Sequence, residues 1–482
     1  MYYPQIRLPV VLLAVHWLLL PIPAHAVGPH YTVTSDERLE QLEVRACFES
    51  AVPTRLKARL DDASGLLRDA QLHTSDEVLE IEPRGTILEL PPVSTPACVH
   101  YRVDLESVSK RHWRSNNWRR QDAIIIDPGS WLWIAEGRGS DERWRLDFVL
   151  PADYDVSAPW SRIGRNGRMV SYEVRTRMPQ REARIAIGRF RVESIELPGG
   201  RVRYALLSGT PEPDTDFIRQ WVTTGARALA TAYGRLPVPD LQLLVVPVGH
   251  GDEPVPWGEV QRGGGDAVHL FINQRLSEEA FMNDWVLVHE LSHLLHPVII
   301  SDDRWLSEGI ASYYQNVLRA RVGLKSPESA WNKLHAGFER GIRGTPRGRS
   351  LAEVSETMMR DRSFMRVYWS GAAIALLADV ELRRRSDGAQ SLDTALEALH
   401  ACCLPADRHW TGRELMQELD RLTGTRVFME LYNEHIGSDE FPDLAAVYEE
   451  LGLERVSTTR LRLDPEASGA SICASIMAVP DS

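Results

Sequence analysis

Two rhythms of apolar and polar residues divide the chain. From residue 27 to about 205, short apolar or alternating runs (AIIIDPGSWLWIAEG, RWRLDFVLP, MVSYEVRT, ARIAIGRFRVESIEL, RVRYALLS) are bounded by Pro, Gly and Asp clusters. Period-two alternation between turn residues predicts strands, so this part reads as an antiparallel β domain. A short helical stretch is expected near Ser35 to Arg45. After Pro211 the period changes. TDFIRQWVTTGARALATAYG carries apolar residues at helical spacing and ends in Gly234. LQLLVVPVG and AVHLFINQ read as strands flanking the glycine run Gly263-Gly264-Gly265, and helical patterns then follow one another to about residue 435. The remainder predicts one helix (AAVYEELG) and a strand pair (RLRLD with SICASIMAV). The expected organisation is α+β, with residues 27–207 a β-rich domain, 208–435 a mainly helical domain and 436–482 a C-terminal extension.

The first 26 residues stand apart. Arg7 precedes an apolar stretch from Leu8 to Leu20, followed by Ala24-His25-Ala26. This is the layout of an export signal cut after Ala26. The apolar run is short for a membrane span, so the mature chain is expected to be periplasmic or secreted, without stable membrane insertion. Export gives meaning to the five cysteines, because disulfides persist in oxidising compartments. Cys47 with Cys98, and Cys473 with Cys402 or Cys403, is one pairing that the spacing allows, with one thiol left free.

Across 482 residues, 43% hydrophobic and 25% charged positions describe an ordinary globular chain. The formal charge of −12 and the lack of a basic cluster argue against nucleic acid as a partner.

One constellation carries chemistry. His289-Glu290-Leu291-Ser292-His293 has the HExxH spacing, in a run that Asn283 or Asp284 can cap and Pro297 must stop. Residues four apart on a helix stand one above the other, so both imidazoles can face one Zn²⁺. Glu290 is then placed to act as general base on a metal-bound water. A catalytic zinc takes a third protein ligand, and Glu308 follows downstream in Trp305-Leu306-Ser307-Glu308-Gly309, with Ala311, Ser312 and Tyr313 after it.

In these motifs the sequence resembles the gluzincin metallopeptidases, and the aminopeptidase N and glycyl aminopeptidase families in particular. The resemblance covers roughly residues 208 to 435. It implies a thermolysin-like catalytic domain holding one zinc per chain through His289, His293 and Glu308. Tyr368, in Tyr368-Trp369-Ser370-Gly371, matches in part the tyrosine that donates to the oxyanion in aminopeptidase N relatives, with Ser370 where lysine is usual. The same resemblance points to Gly263, Gly264, Gly265 and Asp266 as the substrate-binding strand, without the glutamate that would hold a free α-amine. The implied function is hydrolysis of a peptide or protein substrate, with aminopeptidase action one form of it. An inactive peptide-binding protein on the same scaffold and a non-peptide hydrolase are the alternatives. Other polar residues receive structural readings: His296 as helix-end packing, His269 as a pocket wall, Asp302 and Asp303 as caps of the Glu308 helix.

Overall fold

The computed structural model describes residues 28–480, apart from 50, 94–95, 111–114, 116, 137–142, 176–182 and 406–407. The export signal expected over residues 1–26 lies outside the described residues.

The N-terminal part is built as the alternation predicts. Its largest sheet has eight strands in the order Ser161–Asn166, Met169–Arg175, Arg143–Val149, His30–Ser35, Gln41–Phe48, Ala97–Asp104, Leu67–His73, Val78–Glu80. All neighbours are antiparallel except His30–Ser35 beside Arg143–Val149, which run parallel. Two smaller four-stranded sheets complete this part. Its core holds Trp131, Trp133 and Trp160, each fully buried. Cys47 and Cys98 face each other in register on adjacent strands and form the expected disulfide.

Ser35 to Arg45 is not helical. A turn after Ser35 leads into the strand Gln41–Phe48, whose buried positions alternate along QLEVRACF. Glu43 and Arg45 supply the solvent-facing positions of that alternation.

The second part is organised on a five-stranded mixed sheet in the order Val192–Leu197, Gly200–Leu206, Asp240–Pro247, Asp266–Ile272, Trp257–Arg262. It begins at Val192, ahead of the boundary expected at 208. The central strand DLQLLVVP is parallel to both neighbours and almost wholly buried, which accounts for its unbroken apolar run. The last strand, Trp257–Arg262, turns back antiparallel and forms one edge.

Helices cover this sheet. Arg304–Arg321 and Phe364–Arg385 cross at two glycines. A Cβ on Gly309 would lie 2.4 Å from Gly371 Cα, and one on Gly371 would lie 1.7 Å from the Trp305 carbonyl oxygen. Only glycine admits this approach, which brings the starts of the two helices together. Arg321, Asp393, Tyr314, Arg383, Asp379 and Tyr313 form a buried polar network beneath it. Arg321 donates to both oxygens of Asp393 at 3.1 and 2.8 Å, and Tyr313 Oη donates to Asp379 at 2.7 Å.

The C-terminal residues form the helix Ala445–Leu451, the hairpin Leu453–Ser457 with Arg460–Leu463, and the helix Ala470–Met477. The strand expected over SICASIMAV is therefore a helix. Arg321 reaches its Ile476 carbonyl, so packing on the helical body overrides the β-branched composition. Cys473 is buried and free, while Cys402 and Cys403 are bonded to each other, which overturns the expected pairing of Cys473 with either. No helix among the described residues is long and apolar enough to cross a membrane.

Candidate active site

The HExxH segment lies on the helix Val286–Ser292, continued by a 3-10 turn over His293–Leu295. Asp284 accepts a hydrogen bond from the Val286 amide at 2.8 Å and starts this helix. Asn283 belongs instead to the preceding helix, Glu278–Asn283. The rings of His289 and His293 lie one turn apart, centroids 5.0 Å from each other. Glu308, from the first turns of the Arg304–Arg321 helix, brings Oε2 to 3.2 Å from His289 Nε2 and 3.6 Å from His293 Nε2. The three donor atoms fall within 4.8 Å of one another.

Both imidazoles are held from behind. His289 Nδ1 lies 2.8 Å from Gln315 Oε1, two turns along the Glu308 helix. His293 Nδ1 lies 3.2 Å from Ser307 Oγ and 3.4 Å from His296 Nε2. His296 in turn sets Nδ1 2.7 Å from the Pro297 carbonyl oxygen. Its helix-end position was legible from the proline, but its part in orienting His293 was not.

The electrostatics follow from burial and from Glu308. Burial alone would lower the His289 pKa, but the hydrogen bond and charge of Glu308 outweigh it and raise the pKa. Burial takes His293 well below its ordinary value and His296 down to about 3, with Arg262 adding to both. Glu290 is pushed up to about 7 by burial, with the Glu308 charge adding to it. A backbone hydrogen bond from Val260 acts the other way. Tyr368 lies parallel to the His289 ring at 5.9 Å between centroids. Burial first, then the Glu308 carboxylate it bonds, hold its phenol far above the ordinary value, so it is a neutral donor.

A cleft of about 890 Å³ runs over these residues. One wall is the edge strand Trp257–Arg262. The other carries Ile299, Ile300, Met358, Met359 and Phe364. Gly258 makes the closest approach between strand and helix, since a Cβ there would lie 2.7 Å from Glu290 Cγ. Alternate residues of the strand point opposite ways. Glu259 is ion-paired with Arg184 of the β domain, and Gln261 Oε1 accepts from the Arg184 amide at 2.8 Å. Arg262 donates to the His296 carbonyl at 2.6 Å.

This strand replaces the segment expected to line the cleft. Gly263, Gly264 and Gly265 form the turn behind it, with Gly263 at φ 137° and Gly264 at φ 73°. A Cβ on Gly265 would sit 2.0 Å from the Pro159 oxygen, and the Gly263 carbonyl accepts from Ala183 at 3.3 Å. The glycines serve the turn and its contact with the β domain. Asp266 opens the next strand, paired with Arg262, and like them stands outside the cleft lining. His269, expected as a pocket wall, is fully buried within that strand and takes no part in the lining. The edge strand itself was missed, although WGEVQR before a glycine turn carries a hairpin signal.

Ser370, which departs from the lysine of the related motif, is buried and accepts from Arg366 Nη1 at 2.8 Å. A cation thus stands one turn earlier on the same helix. Asp303 begins the Glu308 helix without a side-chain cap and accepts instead from the Gly412 amide at 2.7 Å.

No family profile and no curated protein matches the chain. Solved structures do. An aminopeptidase N family protein from Idiomarina loihiensis superposes with a TM-score of 0.67 at 16% identity, covering 88% of this chain and 78% of that one. An M1 zinc metallopeptidase from Deinococcus radiodurans superposes with a TM-score of 0.53 at 15% identity, covering 86% of this chain and 94% of that one. A variant of the same enzyme, solved with a Tyr-Ser-Ala substrate, gives 0.52 at 14% identity over the same shares. The fold is the one shared by these aminopeptidase N-like structures. The likeness is one of fold, in agreement with the resemblance drawn from the motifs.

Proposed function

We propose that this chain is an exported zinc-dependent metallopeptidase that cleaves a peptide laid along the edge strand Trp257–Arg262. The observation that carries the reading is the convergence of His289, His293 and Glu308 on one point, with Glu290 and Tyr368 facing the same cleft.

The donor set suits zinc: two imidazole nitrogens and one carboxylate, with Gln315 occupying the far nitrogen of His289. When bound there, a zinc ion acidifies water and polarises a carbonyl oxygen. The chain's own residues do the rest. The Glu290 carboxylate takes a proton at its oxygen during attack on the scissile carbonyl and passes it to the departing amine. The Tyr368 hydroxyl, kept neutral by burial, donates a hydrogen bond to the developing oxyanion. The edge strand presents its outer side to an extended peptide, as in strand addition. Glu259 is the carboxylate on that strand, and its ion pair with Arg184 draws it away from a substrate amine, which favours cleavage without a strict need for a free amino terminus.

The test is a peptide library with free and acetylated amino termini, digested by the wild type beside Glu290→Gln and read by mass spectrometry. Internal cuts in both sets, absent with the variant, support the reading. Cuts confined to free termini would make it an aminopeptidase. Equal products from both proteins would favour a binding protein or a non-peptide hydrolase.

A further inference from the structure

Away from the cleft, the described residues hold a second set of three side chains whose donor atoms converge. Cys402 and Cys403 close the last turn of the helix Leu392–Cys403, and Glu418 comes from the helix Gly412–Thr423. Their sulfur and carboxylate atoms lie within 4.8 Å of one another. Glu418 Oε1 is 3.8 Å from Cys402 Sγ and 3.6 Å from Cys403 Sγ. Cys402 is exposed, and the other two are half-buried.

The two cysteines are joined to each other. A disulfide stabilises a fold mainly by closing a loop in the unfolded chain, and the effect grows with loop length. Cys47–Cys98 fits that role, since it spans a separation of 51 residues and ties two paired strands. A bond between neighbours at a separation of 1 closes no such loop and fastens the helix to nothing. Stapling therefore does not explain the pair. What distinguishes it is accessibility to small thiols and a carboxylate held beside both sulfurs. Arg421 bonds both oxygens of that carboxylate, which fixes its position and keeps it ionised.

We propose that Cys402, Cys403 and Glu418 form a redox-gated site for a thiophilic divalent cation, closed as the disulfide and opened by reduction. Two small thiols, or one dithiol, cleave the S–S bond: each cysteine sulfur gains one electron and one proton, and the reductant departs as its own disulfide. The cation then displaces the two thiol protons and binds both thiolates, with the Glu418 carboxylate as third ligand. A small-molecule disulfide reverses the step: each cysteine sulfur gives up one electron as the S–S bond re-forms, and the cation is released. That disulfide takes up the two electrons, with two protons from water, and leaves as two thiols. Soft thiolates select cadmium- or zinc-like ions over magnesium and calcium. The peptidase centre contains no sulfur, so the two sites have separate signatures.

The experiment uses the full chain, loaded with zinc and then titrated with Cd²⁺ before and after treatment with a mild reductant. Sulfur-to-cadmium charge-transfer absorption in the ultraviolet is the readout. The expected result is a band that saturates at one Cd²⁺ per chain only after reduction, together with alkylation of Cys402 and Cys403 only after reduction. Cys402→Ser with Cys403→Ser removes the band, and subtracts any signal from Cys47, Cys98 and Cys473. Glu418→Gln keeps both alkylatable thiols and weakens Cd²⁺ binding at least tenfold. Circular dichroism on each variant separates loss of the site from loss of the fold. A reduced wild type whose band does not exceed that of the double variant overturns the proposal. So does alkylation of both cysteines without reductant, or a Glu418→Gln variant with unchanged affinity.

Discussion

Gln315 Oε1 lies 2.8 Å from His289 Nδ1, and a carboxamide oxygen can only accept, so this contact puts a proton on Nδ1, and in the neutral ring the Nε2 lone pair is turned toward His293 and Glu308. Gln315 thereby fixes the tautomer of a residue in the three-donor cluster from the same helix that supplies Glu308. Replacing it with leucine removes the acceptor and leaves the ring free to turn. Zinc affinity, measured by competition with a chelator, is expected to fall about 10- to 100-fold, while Gln315→Glu, which still accepts, retains most of it. An unchanged affinity in the leucine variant would deny Gln315 an orienting role.

Glu290 faces the cleft from the same helix turn as His289 but stands apart from the three converging donors. Glu290→Gln removes a proton acceptor of nearly unchanged shape. Turnover of any cleaved peptide is expected to drop by roughly 10² to 10⁴, with metal content by mass spectrometry equal to that of the wild type. Loss of metal in this variant would place Glu290 among the ligands instead.

How much of this was legible in the sequence depended on how local each signal was. The HExxH pair, Glu308 before Gly309, and Tyr368 before Gly371 all stand on helices, where spacing along the chain fixes what shares a face, and the structure brings them into one cleft. The edge strand was not legible. A glycine run that permits close approach to a substrate and one that makes a turn look alike until the backbone is placed. The φ values of Gly263 and Gly264 assign this run to the turn, and Gly258, a lone glycine, makes the close approach. Long-range packing decided the rest. Ala470–Met477 is helical because it docks against Arg321, and Cys473 is free because Cys402 and Cys403 satisfy each other.

Acidity should act on metal binding through His289. A protonated imidazole cannot ligate, and the His289 pKa is raised above 6.5 because Glu308 outweighs the effect of burial. His293 lies well below that range and stays neutral. Apparent zinc affinity is therefore expected to fall as pH drops through the raised His289 value, by up to one proton per ion. In the metal-free chain the sign on folding is opposite. A raised histidine pKa stabilises the fold below its unfolded value, and that contribution is lost as pH rises through the folded one. Glu308→Gln removes the largest of the influences that raise the pKa, with Glu290 and Gln315 remaining, so whatever zinc binding survives should fall off only at a lower pH than in the wild type. Chelator competition across the pH range, in wild type and variant, checks both statements.

The helix crossing at Gly309 and Gly371 ties the geometry of the site to the packing of the core. A methyl group on Gly371 would meet the Trp305 carbonyl oxygen at 1.7 Å, and backbone oxygen cannot swing aside as a side chain can. The Phe364–Arg385 helix must move away from Arg304–Arg321, and Tyr368, one turn before Gly371, moves with it. Gly371→Ala is expected to destabilise the chain by about 1–3 kcal/mol or more, the usual range for overpacking, read as a lower midpoint in chemical denaturation. Because Glu308 remains on the helix that faces the HExxH segment, zinc content should be nearly retained while peptide turnover falls. That combination separates displacement of the Tyr368 hydroxyl from collapse of the metal centre. Full turnover in a folded Gly371→Ala protein would mean that the reaction does not depend on where the Tyr368 hydroxyl sits.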